Sequence, residues 1–237
     1  MCQKALSLFL ITSKPPRITI KTKKMHTNNA LRPSKVIDEE VKWDKSKTII
    51  SKTDPVGTIL YMNDAFEEAS EYNKIELIGE PHNVIRHPDM PKVVFKVLWD
   101  NLKQGNNFHA IVKNLTRTGR YYWVITDFDV EKDEKGKITG YTGRRKALPN
   151  SVVKKIESLY KTLLEIEKVK GEKASELYFN SYLQEEVNSS YDDFVVKLFE
   201  DSGTAESKET LTQEAPKEGG IIKKGINWFF FGETNPK

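Results

Sequence analysis

The residues with the clearest chemical potential are a cation and an imidazole placed just ahead of a helix. Arg86 and His87 are followed by Pro88 and Asp89, and Pro91 then opens a helical pattern. Guanidinium groups and helix N-termini both favour phosphate, so this arrangement predicts a phosphate-bearing ligand. The alternative is structural, with Arg86 and Asp89 forming a local ion pair and helix cap.

A polar residue inside a strand-like run is the second candidate. Asn114 lies in the run from Phe108 to Leu115, and a buried strand Asn must find hydrogen-bond partners, which the polar edge of a planar ligand offers. Trp99 falls on the apolar stripe of the helix, which favours a core position. Trp123 lies on a strand, and its pattern leaves both roles open.

Several classes of protein are excluded by what the sequence lacks. Cys2 is the single cysteine, which removes disulfides and cysteine metal sites. We find no kinase boxes, glycine-rich nucleotide loop, metal-ligand cluster or nucleophile elbow. No run approaches the roughly 18 to 20 apolar residues that span a bilayer. We therefore expect neither an enzyme, a resident metal nor an integral membrane protein.

The charge is unevenly distributed along the 237 residues. The net charge is +4, but residues 1–24 hold six basic side chains and no acid, so the remaining chain carries −2. A nucleic-acid binder shows a basic surface on its folded part. The distribution therefore argues against a nucleic-acid partner.

The periodicity predicts an α+β fold. Asp54 to Gly57 reads as a turn between two strands, and Val36 to Trp43 as a short helix before them. Short helices follow, then a longer helix from Pro91, then three strand-like runs over residues 108–115, 121–130 and 138–145. This order predicts a five-stranded antiparallel sheet with helices on one face.

The C-terminal part reads as helices and a tail. Val152, Ile156, Leu159, Leu163 and Ile166 form an amphipathic stripe. We predict an N-terminal extension over residues 1–35, a sensor domain over 36–148, helices over 149–201, a flexible linker over 202–220 and an aromatic, basic tail over 221–237.

Four segments together resemble a PAS domain of the aerotaxis-receptor type. They are Thr53 to Phe66, Pro81 to Pro91, and Ile111 to Asn114 with Tyr121 to Val124. The resemblance covers roughly residues 48–147, with Phe108 standing where the family usually has Trp. It implies a PAS fold that binds FAD noncovalently and reports cellular redox or energy status to the chemotaxis machinery. The family pattern assigns FAD binding to Arg86, His87 and Asp89, and it also matches Asn63, Asn114, Trp99 and Trp123.

The resemblance leaves other functions open. A cofactor-free PAS interaction module is one, and a haem-based gas sensor using His82 or His109 is another. A photoreceptor that forms a cysteinyl-flavin adduct is excluded, because residues 82–86 contain no thiol.

Partners follow from the same comparison with aerotaxis receptors. Such receptors carry a membrane anchor and a methyl-accepting helix, which this sequence lacks, so we expect a membrane-bound methyl-accepting transducer in trans. We expect the transducer to dock through the exposed sheet face or through the Val152 to Ile166 stripe. The alternatives for the stripe are a homodimer and packing on its own sheet. We expect a cytoplasmic protein, with peripheral membrane contact through the tail.

Overall fold

The computed structural model describes residues 31–206, and side chains up to residue 199. The predicted tail at 221–237 and most of the predicted N-terminal extension lie outside these residues. None of the helices within the described range is long and apolar enough to cross a membrane.

Five strands form one antiparallel sheet, as the sequence predicts. They are β1 (Ile49–Thr53), β2 (Ile59–Met62), β3 (Phe108–Leu115), β4 (Tyr121–Lys132) and β5 (Ile138–Ala147), in the spatial order β2-β1-β5-β4-β3. Asp54 closes the β1–β2 turn, because its Oδ1 accepts from the Val56 and Thr58 amides at 3.0 and 2.8 Å. The first and last strands of the sheet in sequence, β1 and β5, are therefore neighbours at its centre.

Short helices cross from β2 to β3 over one face of the sheet. They are α1 (Asp64–Ser70), α2 (Lys74–Leu77), a 3₁₀ helix (His82–Ile85) and α3 (Lys92–Lys103). Leu98 and Leu102 of α3 are buried as predicted, whereas Phe95 and Trp99 on the same stripe are only partly buried. These two rings face a cavity, so the apolar stripe is wider than the core needs.

The C-terminal helices pack on the same domain. They are α4 (Asn150–Lys170), α5 (Glu172–Ser181), a π-helical segment (Tyr182–Val187) and α6 (Tyr191–Glu206). The helix α6 extends into the stretch predicted as a linker from residue 202. The α4 stripe is buried within the chain, with Ile156 and Leu163 each 0% exposed. A partner that docked through this stripe would have to displace α4.

The helices α4 and α6 cover the edge strand β3. Tyr160 Oη donates to the Ile111 carbonyl at 2.8 Å, and the Ile111 amide donates to Tyr191 Oη at 3.3 Å. The two hydroxyls also bond each other. These three hydrogen bonds satisfy the amide and the carbonyl of Ile111, which an edge strand otherwise leaves unpaired.

Residues 36–43 do not form the predicted helix. They run extended along the β3–β4 turn, where the Ile37 amide donates to Gly119 O and the Val41 amide donates to Tyr121 O, both at 2.8 Å. The apolar residues that suggested a helix serve this packing instead, since Val41 and Trp43 are buried.

Gly119 should not tolerate a side chain. It has φ +95°, and a Cβ placed on it would lie 2.1 Å from the Lys35 carbonyl oxygen. We expect Gly119→Ala to lower the free energy of unfolding by about 1–3 kcal/mol, because backbone must move to make room. Urea denaturation measures the effect. The control is Gly136→Ala, which has φ +77° but nothing within 4 Å, and an equal loss in both variants would contradict the steric explanation.

Candidate functional site

A cavity of about 390 Å³ lies between the sheet and α3. This volume falls in the range of small-molecule sites. Its walls are mostly apolar, formed by Phe95, Leu98, Trp99, Leu102, Phe128 and Tyr141. The Trp99 and Tyr141 rings meet edge to face, with centroids 5.6 Å apart. The wall is thus built from flat rings on α3 and two strands.

Arg145 on β5 places a buried cation in this cavity. Its side chain donates to Ser51 Oγ at 3.0 Å and to Gly143 O at 3.1 Å, and the residue is 2% exposed. Among the described residues no carboxylate lies within 4.0 Å of it. Burial lowers the pKa of Arg145 to about 10. A buried guanidinium without a counter-charge is costly, so it points to an electron-rich ligand.

His82 is the neutral partner of this cation. Its Nε2 lies 2.9 Å from Arg145 Nη2 and 3.3 Å from Ser51 Oγ. Because a guanidinium is only a donor, Nε2 accepts and the proton sits on Nδ1. His82 is therefore a second polar group at the cavity wall, held in one tautomer.

His82 should make the protein less stable as the pH falls. Burial and the Arg145 cation lower the pKa of His82 from 6.5 to about 3. As the pH falls, the unfolded chain takes up the proton on His82 before the folded protein does. The contribution of His82 to the free energy of unfolding is therefore complete above about pH 6.5 and is lost as the pH falls toward 3. Unfolding free energy should fall less steeply over this range in His82→Gln than in wild type. Identical slopes would contradict the assignment.

Two polar groups in the cavity have no hydrogen-bond partner among the described residues. They are Asn114 Nδ2 on β3 and Thr126 Oγ1 on β4. Tyr122, opposite Asn114, has an unpartnered hydroxyl as well. Burial raises the pKa of Tyr122, and the Asn114 amide acts in the opposite direction without reaching hydrogen-bond geometry. Buried polar groups are normally satisfied, so the amide and the Thr126 hydroxyl indicate a missing ligand.

Arg86 lies at the cavity but Asp89 does not. The Arg86 guanidinium donates to Met90 O at 2.8 Å, and its Cζ lies 4.3 Å from the Phe95 ring centroid. Arg86, Asn114 and Trp99, three of the residues that the resemblance assigns to FAD binding, therefore share the cavity lining. The local Arg86–Asp89 ion pair is not formed, since Asp89 pairs with Lys113 at 2.9 Å.

The other four residues from the family pattern lie away from the cavity. Asp89 and Trp123 line a groove on the opposite face of the sheet. His87 is buried, and its Nδ1 accepts from the Asp89 amide at 3.1 Å. Asn63 caps α1, where its side chain accepts from the Ile50 and Phe66 amides.

The sequence interpretation did not single out Arg145 and missed the role of His82. The sequence did contain one indication that an arginine points into the protein here. Arg144 and Arg145 are adjacent in a strand, and side chains alternate between faces, so one of them had to point inward. Arg144 instead pairs with Asp127 and Asp129. His82 offered no comparable pattern.

Residues 59–145 match the family model described as the PAS fold. The chain contains a PAS domain. Over 116 residues it is 41% identical to the aerotaxis receptor of Escherichia coli, a match that covers 49% of this chain and 23% of the receptor. It is 27% identical over 86 residues to biofilm dispersion protein BdlA of Pseudomonas aeruginosa, covering 36% of this chain and 21% of that protein.

Solved structures add matches at low identity. The light-state structure of the Aureochrome1 LOV photoreceptor matches with 18% identity and a TM-score of 0.41, over 51% of this chain and 91% of that one. The PAS domain of the fruit-fly ELK potassium channel matches with a TM-score of 0.40 and 15% identity, over 43% and 86%. The chain spans less than a quarter of the curated relatives above, so the shared part is the PAS region.

Proposed function

We propose that this chain is a flavin-binding redox sensor that holds FAD in the cavity. The observation that carries the proposal is the convergence of Arg145, Asn114 and Thr126, because a buried cation and two unpartnered polar groups face an apolar, ring-lined space. The 41% identity to an aerotaxis receptor supports the same choice.

The cavity lining fits a flavin. Its ring is flat and largely apolar, so it needs aromatic walls and a few groups that orient its polar edge. Trp99, Phe128 and Tyr141 supply the walls, and Asn114 and Arg145 supply an amide and a guanidinium. Arg86 at the same lining adds a cation for the phosphate-bearing part.

A bound flavin supplies the electron exchange that a redox sensor needs. Arg145 would favour negative charge on a group bound in the cavity, and His82 would stay neutral beside it. The signal consists of changed hydrogen bonds at β3 and β5, which the packed sheet passes to the helices around it.

Haem is the weaker alternative. Of the described histidines, His82 alone lines the cavity, and its Nε2 accepts from Arg145. His109 is held by Asp192 at 3.0 Å, where α6 meets β3. Neither imidazole is therefore placed to bind iron in this cavity.

The output is contact with another protein. We place the sensor in the cytoplasm and propose a membrane-bound methyl-accepting transducer as its partner, because a PAS domain is a signalling module and the sequence shows no catalytic motif. Copurification with the tagged chain should recover such a transducer. Recovery of a histidine kinase or a diguanylate cyclase instead would retain the sensor and discard the role in taxis.

Purified protein should be yellow and should release FAD on denaturation. A folded, colourless protein that takes up no added FAD would contradict the proposal and favour a cofactor-free interaction module. A Soret band would favour haem.

Asn114→Ala should weaken FAD binding by about tenfold, which is about 1.4 kcal/mol. The unfolding free energy of the flavin-free protein should not fall, because the lost amide has no partner in the described chain. Fluorescence titration with FAD measures the affinity, and exposed Asn106 supplies the control variant Asn106→Ala. A fall in stability with unchanged FAD affinity would show that the amide is structural.

A further inference from the structure

A surface with exposed apolar side chains, here called the α5 surface, lies where α5 runs into the π-helical segment. It consists of Leu177, Tyr178, Tyr182, Glu185 and Glu186. Leu177 is 63% and Tyr178 is 41% exposed, although most large apolar side chains of the described chain are buried. Burial raises the pKa of Tyr182, and the nearby Tyr178 and Glu186 raise it further, so these three side chains are neighbours. The surface therefore combines apolar groups with carboxylates.

The charge of this part of the chain is acidic. Residues 174–196 contain five acids and no lysine or arginine. Three of these acids have partners, since a lysine of α3 pairs with Glu176, a histidine of β3 pairs with Asp192, and a serine hydroxyl donates to Asp193. Glu185 and Glu186 are exposed, and no lysine or arginine of the described residues lies within 4.0 Å of either. Two carboxylates on the α5 surface are therefore available to a cationic partner.

The tail has the complementary composition. Residues 221–231 contain Lys223 and Lys224, no acid, three isoleucines and the aromatic run from Trp228 to Phe231. Its apolar side chains match the exposed leucine and tyrosine of the α5 surface, and its lysines match the two carboxylates. Complementary charge selects the partner and the register of such a contact. The sequence of the tail therefore suits this surface in both polarity and charge.

The connection between α6 and the tail is long enough for this contact. The Phe194 ring near the start of α6 meets the Tyr182 ring edge to face, with centroids 6.0 Å apart. The helix ends at Glu206, about 18 Å farther along its axis. Residues 207–220 reach at most about 50 Å when fully extended. The tail can therefore reach the α5 surface of its own molecule, where its effective concentration is high.

We propose that the α5 surface is the docking site of this chain's own tail, residues 221–231. The two lysines of the tail pair with the two available carboxylates, and its aromatic run covers the exposed leucine and tyrosine. Docking removes apolar surface from water on both sides of the contact, which is its main driving force. A partner protein that binds the α5 surface must first displace the tail.

Disulfide trapping in the full chain tests this proposal. In a Cys2→Ser background, Asn180→Cys places a thiol on the exposed side of α5, and Gly232→Cys places one directly after the aromatic run. We expect a disulfide within one molecule to form at least about ten times faster than in the control pair Ile75→Cys/Gly232→Cys. Ile75 is the matched control because it is an apolar residue of α2, 95% exposed, that stands between a lysine and a glutamate.

Reversal of charge tests the ion pairs. Glu185→Lys/Glu186→Lys should slow the disulfide by about tenfold, because two attractions become two repulsions. Adding Lys223→Glu/Lys224→Glu to this variant should restore the rate, since the attraction returns with the signs exchanged. The control is Lys135→Glu, which reverses an exposed charge beside the β4–β5 turn and should leave the rate unchanged.

Three results would overturn the proposal. They are equal rates in the test and control pairs, a rate that the charge exchange does not restore, and disulfides that join two molecules, which would make a second copy the source of the tail. The trapping requires no flavin, so it is independent of the proposed function.

Two further measurements identify another occupant. A disulfide from Cys2 to Asn180→Cys, in a chain without Gly232→Cys, would place the N-terminal segment on the α5 surface and contradict the proposal. Cosedimentation with phosphatidylglycerol vesicles, lost in Lys223→Glu/Lys224→Glu and combined with equal trapping rates, would assign the tail to a membrane instead.

Discussion

Replacing Arg145 with methionine is expected to abolish FAD retention while leaving the flavin-free domain about as stable as before. Methionine fills similar volume without charge, so the variant removes the buried cation that lines the cavity. We expect the dissociation constant for FAD to rise by at least about a hundredfold, or about 2.7 kcal/mol. FAD titration and urea denaturation of the flavin-free protein measure the two effects.

The flavin-free stability of Arg145→Met should stay close to that of wild type because two effects oppose each other. The variant loses hydrogen bonds to Ser51, Gly143 and His82, each worth about 0.5–1.5 kcal/mol or somewhat more for a charged donor. It also removes the cost of burying an uncompensated guanidinium, and the two changes oppose each other. Arg144→Met is the matched control, because Arg144 pairs with Asp127 and Asp129 away from the cavity. A lower unfolding free energy of flavin-free Arg145→Met, together with unaltered FAD affinity, would make Arg145 a structural residue.

Tyr160→Ala should cause the largest loss of stability, about 3–5 kcal/mol, the usual cost of emptying a buried aromatic site. Tyr160 is 1% exposed, packs on Trp123 and bonds to Ile111 and Tyr191. Tyr160→Phe keeps the ring and should cost about 1–3 kcal/mol, because it leaves the Ile111 carbonyl and the Tyr191 hydroxyl without this partner. Urea denaturation of both variants separates packing from hydrogen bonding.

Ser158→Ala on the exposed side of α4 is the control for Tyr160 and should change little. Flavin-free stability is the relevant quantity, since ligand binding would mask part of the loss. If Tyr160→Phe were as stable as wild type, the hydrogen bonds of the Tyr160 hydroxyl would add nothing to the unfolding free energy beyond the packing of its ring.

The sheet could be predicted because its signals are local. Turn residues such as Asp54 and Gly57, and apolar runs of strand length, determine where β1 and the later strands begin and end. The stripe on α4 was equally clear, but its partner was not. A stripe shows that one helix face is buried and does not show whether a sheet, a second copy or another protein covers it.

The site was harder to predict because it depends on which face each side chain takes. Asn114 and Arg86 could be identified from their type and position, and both line the cavity. His87 and Asp89 follow within three residues of Arg86, yet one is buried beside Tyr121 and the other pairs with Lys113. Arg145 could be recognised as a candidate ligand-binding residue only from its lack of a carboxylate partner. That lack depends on long-range contacts, which the sequence does not show.

The hydrogen bonds that join Tyr160 and Tyr191 to Ile111 of β3 also protect the domain from self-association. An uncovered edge strand offers its free amide and carbonyl groups as a template for a strand from another copy. Here Tyr160 and Tyr191 occupy both groups of Ile111, and Asp192 accepts from the His109 amide at 2.6 Å. The helix α6 thus prevents the edge of β3 from pairing with a strand of another molecule. A shortened chain that ends before Tyr191 would lose this protection.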